Sequence, residues 1–155
     1  MDEVRLLPRL IVALILGLLL GFERERTRKR AGLRTHSIVT LSTATLMAAA
    51  TLLQTEDGAI VGDPVRMSQG ILTGIGFIGA GTILSHRNTV TGVTTAATIW
   101  LSATVGMLCG SGLYILAGGL TALCLATLMG TDWLIGRMPP GQASAESELE
   151  RGEND

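Results

Sequence analysis

The chain has 155 residues, 12 basic and 13 acidic, with a net charge of −1, a mean hydropathy of +0.45 and only 16% charged residues. A water-soluble domain carries about 25% charged residues, so the composition points away from water, and the length suits one domain. The charges are also segregated: Ser37 to Thr55, Met67 to His86 and Asn88 to Thr131 contain no Asp, Glu, Lys or Arg.

A helix crossing a bilayer needs about 20 mainly apolar residues, because the hydrocarbon core is about 30 Å thick and a helix rises 1.5 Å per residue. By that rule the chain is an all-α, polytopic membrane protein with five spans, at about 6–23, 36–54, 64–85, 94–109 and 112–131. The first span is apolar from Leu10 to Phe22 and is completed by letting Arg9 snorkel outward. It has no small-residue cleavage site and runs into "ERERTRKR", so it reads as an anchor and not a cleaved signal. That basic connection holds Arg24, Arg26, Arg28, Lys29, Arg30 and Arg34, and contact with anionic lipid is the ordinary role of such a loop. With five spans, nine of the twelve basic residues fall on one side, which the positive-inside rule makes cytoplasmic. The N-terminus is then outside and the C-terminus inside.

Span two follows His36 and groups Thr40, Thr43, Met47 and Thr51 on one face. The loop after it, "QTEDGAIVGDPVR", is acidic apart from Arg66. Span three opens at Asp63-Pro64, an Asp N-cap followed by Pro where no N–H is lost. Its "GIGFIGAG" matches G-x-G-x-x-G at Gly74, Gly76 and Gly79. A dinucleotide site would need an acid about 20 residues on, and no Asp or Glu occurs between Asp63 and Asp132. The glycines are read instead as packing faces: Gly70, Gly74 and Gly81 on one stripe, Gln69, Thr73, Gly76 and Ala80 on another. That places span three at the centre of the bundle. The competing role is a local helix break that frees carbonyls for an ion.

Span four aligns Thr95, Thr98, Ser102, Gly106 and Cys109, and "CGSG" at 109–112 makes the turn into span five, with its small series Gly118, Ala122, Ala126 and Gly130. Such hydroxyls either bond back to their own helices or form a shared polar seam. Ionisable groups sit only near span ends: Glu23, Arg24 and Arg34 inside, Asp63 and Arg66 outside, Asp132 at the inner end. Proton relays use mid-membrane charge, and Mg²⁺ sites use carboxylates, so pumping by a single chain is disfavoured. His36 and His86 lie on one side without further metal ligands, and Cys109 and Cys124 are read as buried thiols. No nucleophile–base pair is visible, so no enzyme activity, cofactor or nucleic-acid partner is expected. The tail from Arg137, with its two prolines and acidic residues, reads as a disordered end, giving a 1–131 transmembrane domain and a 132–155 tail.

Four stretches together resemble the MgtC/SapB family: "GFERE", "AGLRTHSIV", "RMSQGILTGIGFIGAGTIL" and "VTGVTTAATIWLSATVGMLCGSGLY", covering about residues 10 to 131. The resemblance implies a bacterial inner-membrane protein linked to growth in low magnesium and, in pathogens, to survival inside macrophages. It also implies a regulatory role with the F-type ATP synthase as a partner, while self-association is expected from the small-residue faces of the helices. Names in the family often speak of magnesium transport, so a cation transporter or channel subunit with a hydroxyl-lined path is the alternative. Carried over by motif, the residues of interest are Glu23, Arg24, Arg34 and Thr35, then Arg66, Gln69, Gly74, Gly76, Gly79 and Gly81 in span three. Span four adds Gly92, Thr95, Ala96, Ala97, Thr98 and Trp100; Ser102, from the hydroxyl face, and Thr94, where the chain departs from the family pattern, complete the candidates. Virulence-associated members carry Asn at the position of Thr94 and Cys at that of Leu101, and many have a folded cytoplasmic domain after span five.

Overall fold

The computed structural model describes residues 6–53, 63–86 and 89–135. Five helices carry the fold: α1 (Leu7–Arg26), α2 (Leu33–Leu52), α3 (Pro64–Ala80), α4 (Val93–Gly110) and α5 (Tyr114–Ile135). A two-stranded hairpin, β1 (Leu84–His86) and β2 (Thr89–Thr91), lies between α3 and α4. Of the tail expected at 132–155, positions 132–135 continue α5 and the rest, like the acidic loop from 54 to 62, fall outside the described residues. The chain divides after Ala122 into two units. The first holds α1 to α4, the hairpin and the opening turns of α5; in the second the described part is the continuation of α5.

Local chemistry sets several boundaries. Asp63 Oδ1 accepts from the N–H groups of Val65 (2.9 Å) and Arg66 (3.2 Å), and Pro64 takes the first helical position, as expected. At the end of α4, Gly112 has φ +80; Leu113 N–H donates to Leu108 O at 2.8 Å and Gly112 N–H to Cys109 O at 2.9 Å. That is a Schellman ending, and it makes "CGSG" the turn into α5.

Span three is shorter than expected. The helix stops at Ala80, where Thr82 and Ile83 bond back to Gly79 and Ala80, and the chain enters the hairpin with Leu84 opposite Thr91. The β-branched run Thr89-Val90-Thr91 suits a strand, and Gly92 at φ +92 returns it to α4. A Cβ on Gly92 would collide with the Thr82 carbonyl oxygen, so only glycine fits there.

The core is α1, α2 and α4, with α2 packed against both of the others. The approach is close because glycines face it. A Cβ on Gly17 would lie 2.8 Å from Thr40 Oγ1, and one on Gly21 would lie 2.6 Å from the Leu33 Cα. On α4, a Cβ at Gly106 would strike Thr43 Oγ1 and the Thr40 carbonyl, and one at Gly110 would strike the Ala44 carbonyl. Helix α3 packs on α4 and α2 from one side, through Ile71 and Ile75 against Val39, Ile99 and Ala103. The central position expected for span three is therefore not observed. Among the described residues nothing lies within 4 Å of a Cβ built on Gly70, Gly74 or Gly76, while one on Gly79 would meet Ala96 of α4 at 3.7 Å.

Polarity is distributed inside out. Thr40, Thr43, Thr95, Thr98, Ser102 and Thr121 are buried. Large apolar side chains point outward, among them Ile11, Phe22, Ile38, Phe77 (84% exposed) and Ile115 (91%).

Arg9 does not snorkel. It is half-buried, and its Nη1 donates to Gly110 O (2.8 Å) and Thr51 Oγ1 (3.3 Å), joining the start of α1 to the ends of α2 and α4. A cation on a C-terminal helix carbonyl is favourable both as a hydrogen bond and against the helix dipole. Arg9→Ala should lower stability by about 1–3 kcal/mol, read as thermal unfolding of the detergent-solubilised protein, with Arg9→Lys recovering part of the loss.

Candidate functional site

At the end opposite Arg9, the last turn of α1 meets the first turns of α2 and α4. Three ionisable groups are buried there: Glu23, Arg24 (2% exposed) and His36 (0%). Arg24 Nε donates to Glu23 Oε2, forming the ion pair seen among the described residues. Neighbours in sequence can pair in this way because the α1 ending is tied down around them. Thr27 N–H and Oγ1 bond to Glu23 O, and Lys29 N–H bonds to Arg24 O. Burying the pair removes water from both charges, so each depends on the other.

His36 was expected at a membrane surface and is instead enclosed. Its Nδ1 lies 2.9 Å from Gly32 O and its Nε2 lies 3.3 Å from Thr98 Oγ1. A carbonyl oxygen only accepts, so Nδ1 carries a hydrogen. The Thr98 hydroxyl has a second acceptor at hand, Thr95 O at 2.9 Å. In the neutral ring the hydroxyl can turn to Nε2; in the charged ring Nε2–H donates to Oγ1 and the hydroxyl turns to Thr95 O. This hydroxyl–imidazole contact resembles a nucleophile–base pair, which the sequence did not reveal because 62 residues separate the partners. Both groups are buried.

Above this cluster the hydroxyl-bearing face of α2 packs on α4, where a Cβ on Gly106 would strike Thr43 Oγ1 and the Thr40 carbonyl. Each hydroxyl bonds to its own helix: Thr40 to His36 O (2.7 Å), Thr43 to Val39 O (2.9 Å) and Ser102 to Thr98 O (2.9 Å). Among the described residues no buried side-chain nitrogen or oxygen lacks a hydrogen-bond partner. The seam is thus a packed interface with its polar groups satisfied internally.

The remaining sequence candidates lie elsewhere. Arg34 is exposed and Thr35 half-buried at the start of α2. Arg66 and Gln69 are exposed near the start of α3, and Thr94 and Trp100 are exposed on α4. Gln69 and Thr73 therefore do not join the seam. Gly81 ends α3, where its own Phe77 carbonyl accepts its N–H. A shallow apolar groove of about 440 Å³ runs between α2 and α3, lined by Val39, Leu46, Gly70, Ile71, Gly74 and Ile78 among others. Cys109 is buried and Cys124 half-buried. No three His, Cys, Asp or Glu side chains lie close enough to hold a metal among the described residues.

These features define a class: an all-α protein with a tightly packed, glycine-joined helical core, an apolar exterior and a buried charged cluster at one end. Among the described residues two helices, over Val93–Gly110 and Tyr114–Thr131, are long and apolar enough to cross a membrane. The chain belongs to the MgtC family, whose model matches residues 10–136. It is 41% identical over 114 residues to Protein MgtC of Brucella abortus, an alignment that covers 74% of this chain and 46% of that protein. It is 42% identical over 111 residues to YhiD of Escherichia coli strain K12, whose name marks it as a candidate magnesium transporter; 68% of this chain and 51% of YhiD are covered. A Synechocystis protein, slr0014, is 44% identical over 108 residues, covering 70% of this chain and 44% of its own length. The chain thus spans about half the length of the curated relatives it matches. No solved structure matches it.

Proposed function

We propose that this chain is a five-span protein of a bacterial inner membrane that regulates ion and energy homeostasis under magnesium limitation, acting through contacts with other membrane proteins and with copies of itself. The inside-out polarity supports insertion: exposed Ile, Leu and Phe side chains suit lipid, and every buried side-chain nitrogen and oxygen among the described residues has a hydrogen-bond partner within the protein. Helices α1, α2, α4 and α5 each measure roughly 27–33 Å at 1.5 Å per residue, matching the hydrocarbon thickness. With the basic α1–α2 turn inside, the N-terminus is outside and the C-terminus cytoplasmic, residues 1–131 form the membrane domain and 132–155 a cytoplasmic tail. Catalysis has no place in this reading.

The observation that carries regulation over transport is the closed α2–α4 seam. A conducting path needs polar groups that face a lumen; here they face their own helix carbonyls. The name of the E. coli relative favours the second reading, cation transport. Purified protein in liposomes, with entrapped indicators and an imposed gradient and potential, separates the two. Regulation predicts Mg²⁺ and monovalent-cation flux no higher than in empty liposomes. Flux that appears with the wild type and is lost on changing Gln69→Leu, Thr95→Val and Ser102→Ala together would instead establish transport. The family resemblance makes the F-type ATP synthase the first partner to test by co-purification.

A further inference from the structure

Every polar atom of His36 is engaged. Its backbone N–H and its Nδ1–H both donate to Gly32 O, at 3.1 and 2.9 Å, and its carbonyl accepts the Thr40 hydroxyl at 2.7 Å. Nε2 lies 3.3 Å from Thr98 Oγ1 on α4. The residue is fully buried, so the ring meets bulk water only when the helices around it move.

The charges facing it come from one element. Helix α1 supplies Glu23 and Arg24, both close enough to act on the ring. Helix α4 contributes the Thr95 and Thr98 hydroxyls and has no charged residue from Val93 to Gly110. In the turn before α2, the Glu25 carboxylate accepts the Leu33 N–H, while Arg28, Lys29, Arg30 and Arg34 are exposed. The one ionisable residue of α3, Arg66, lies in its first turn, whereas the last turn of α3 is the part that reaches α4, with Gly79 beside Ala96.

With a neutral ring this cluster carries no net charge, because Glu23 is paired with Arg24. The Thr98 hydroxyl can point to Nε2 or to Thr95 O, so both ring nitrogens stay bonded whether His36 carries one hydrogen or two. Acid therefore breaks no hydrogen bond here. It adds a second cation beside Arg24, in a site closed to water whose carboxylate is already committed, and a buried charge without its own partner opposes the closed packing. A solvated imidazole takes the same proton near pH 6.5.

We propose that the end of the bundle where α1, α2 and α4 meet is a proton-responsive latch, closed while His36 is neutral and opened when its ring takes a proton. Opening lets water solvate the imidazolium and releases the first turn of α2 from α4. The inference rests on the packing of this cluster and on neither account of what the bundle does, so its failure leaves the flux experiment unaffected.

The test follows hydrogen–deuterium exchange of the full chain in detergent at pH 7.5 and 5.5, with each rate corrected for the intrinsic pH dependence of exchange. Opening linked to one proton with a solvated value near pH 6.5 should rise about tenfold between these conditions, over residues 23–36 and the first turns of α4. Exchange in the α2–α4 seam around Thr43 and Gly106 should change by less than about twofold. His36→Gln keeps a hydrogen-bonding side chain but takes no proton, and should exchange alike at both pH values. His86 is the second histidine of the chain, and His86→Gln should retain the wild-type rise. Equal protection of the wild-type cluster at the two pH values overturns the proposal, as does a rise that persists in His36→Gln or disappears in His86→Gln. If His36→Gln does not fold, the wild type and His86→Gln decide: a rise at the cluster with an unchanged seam upholds the latch, and a rise uniform along the helices overturns it.

Discussion

Gly106→Ala is expected to destabilise the protein by about 2–3 kcal/mol, and Gly74→Ala to leave it unchanged or more stable by up to about 1 kcal/mol. Both residues are mid-helix glycines, and a survey of spacing alone ranks them together. At Gly106 the added methyl would strike Thr43 Oγ1 and the Thr40 carbonyl. The carbonyl belongs to helix backbone, and the Thr43 hydroxyl is held by its bond to Val39 O, so neither can yield without moving α2. At Gly74 the methyl meets nothing within 4 Å among the described residues, and the intrinsic preference of helices for alanine over glycine is what remains. Chemical or thermal unfolding of each variant in the same detergent decides it. Equal losses at both positions would mean that α3 is packed on a partner through Gly74 in solution.

Glu23→Ala should be the most damaging change to the charged cluster, costing about 3–5 kcal/mol. It strands the Arg24 guanidinium in a site where the side chain is 2% exposed, and a buried unpaired charge loses far more than a surface pair contributes. The double variant Glu23→Ala/Arg24→Leu should be less destabilised than Glu23→Ala alone, because it removes the stranded charge and refills its volume with apolar atoms. Circular dichroism melts of the two single variants and the double close this thermodynamic cycle. A loss below about 1 kcal/mol in Glu23→Ala would show that water or headgroups reach Arg24, making the pair an interfacial anchor. The positions bear directly on His36, since both charges are near enough to act on its ring.

Much of the architecture could be read from the residues in order. Uncharged runs located the helices to within a few positions in four of five cases, because hydropathy is summed over neighbours in the chain. Asp63-Pro64 and "CGSG" marked a helix start and a helix turn for the same reason: a cap and a Schellman ending are made by residues within a few positions of one another. The hairpin was not legible because the uncharged run carries span three through Ser85 and leaves Thr89-Val90-Thr91, a short strand signal, in the connection before span four.

The identity of the working residues was another matter. Periodicity put small residues on faces of spans three and four alike, yet only tertiary packing decided that a Cβ on Gly106 would strike α2 while one on Gly74 would meet nothing within 4 Å among the described residues. His36 became part of a buried cluster because Thr98, 62 residues later, was brought to its ring. Arg9 became a clasp through Thr51 and Gly110, 42 and 101 residues away. What the sequence by itself determined were properties set by local capping, turn geometry and transfer from water. What only the tertiary structure decided was which faces touch, because contact energy depends on partners that no local pattern names.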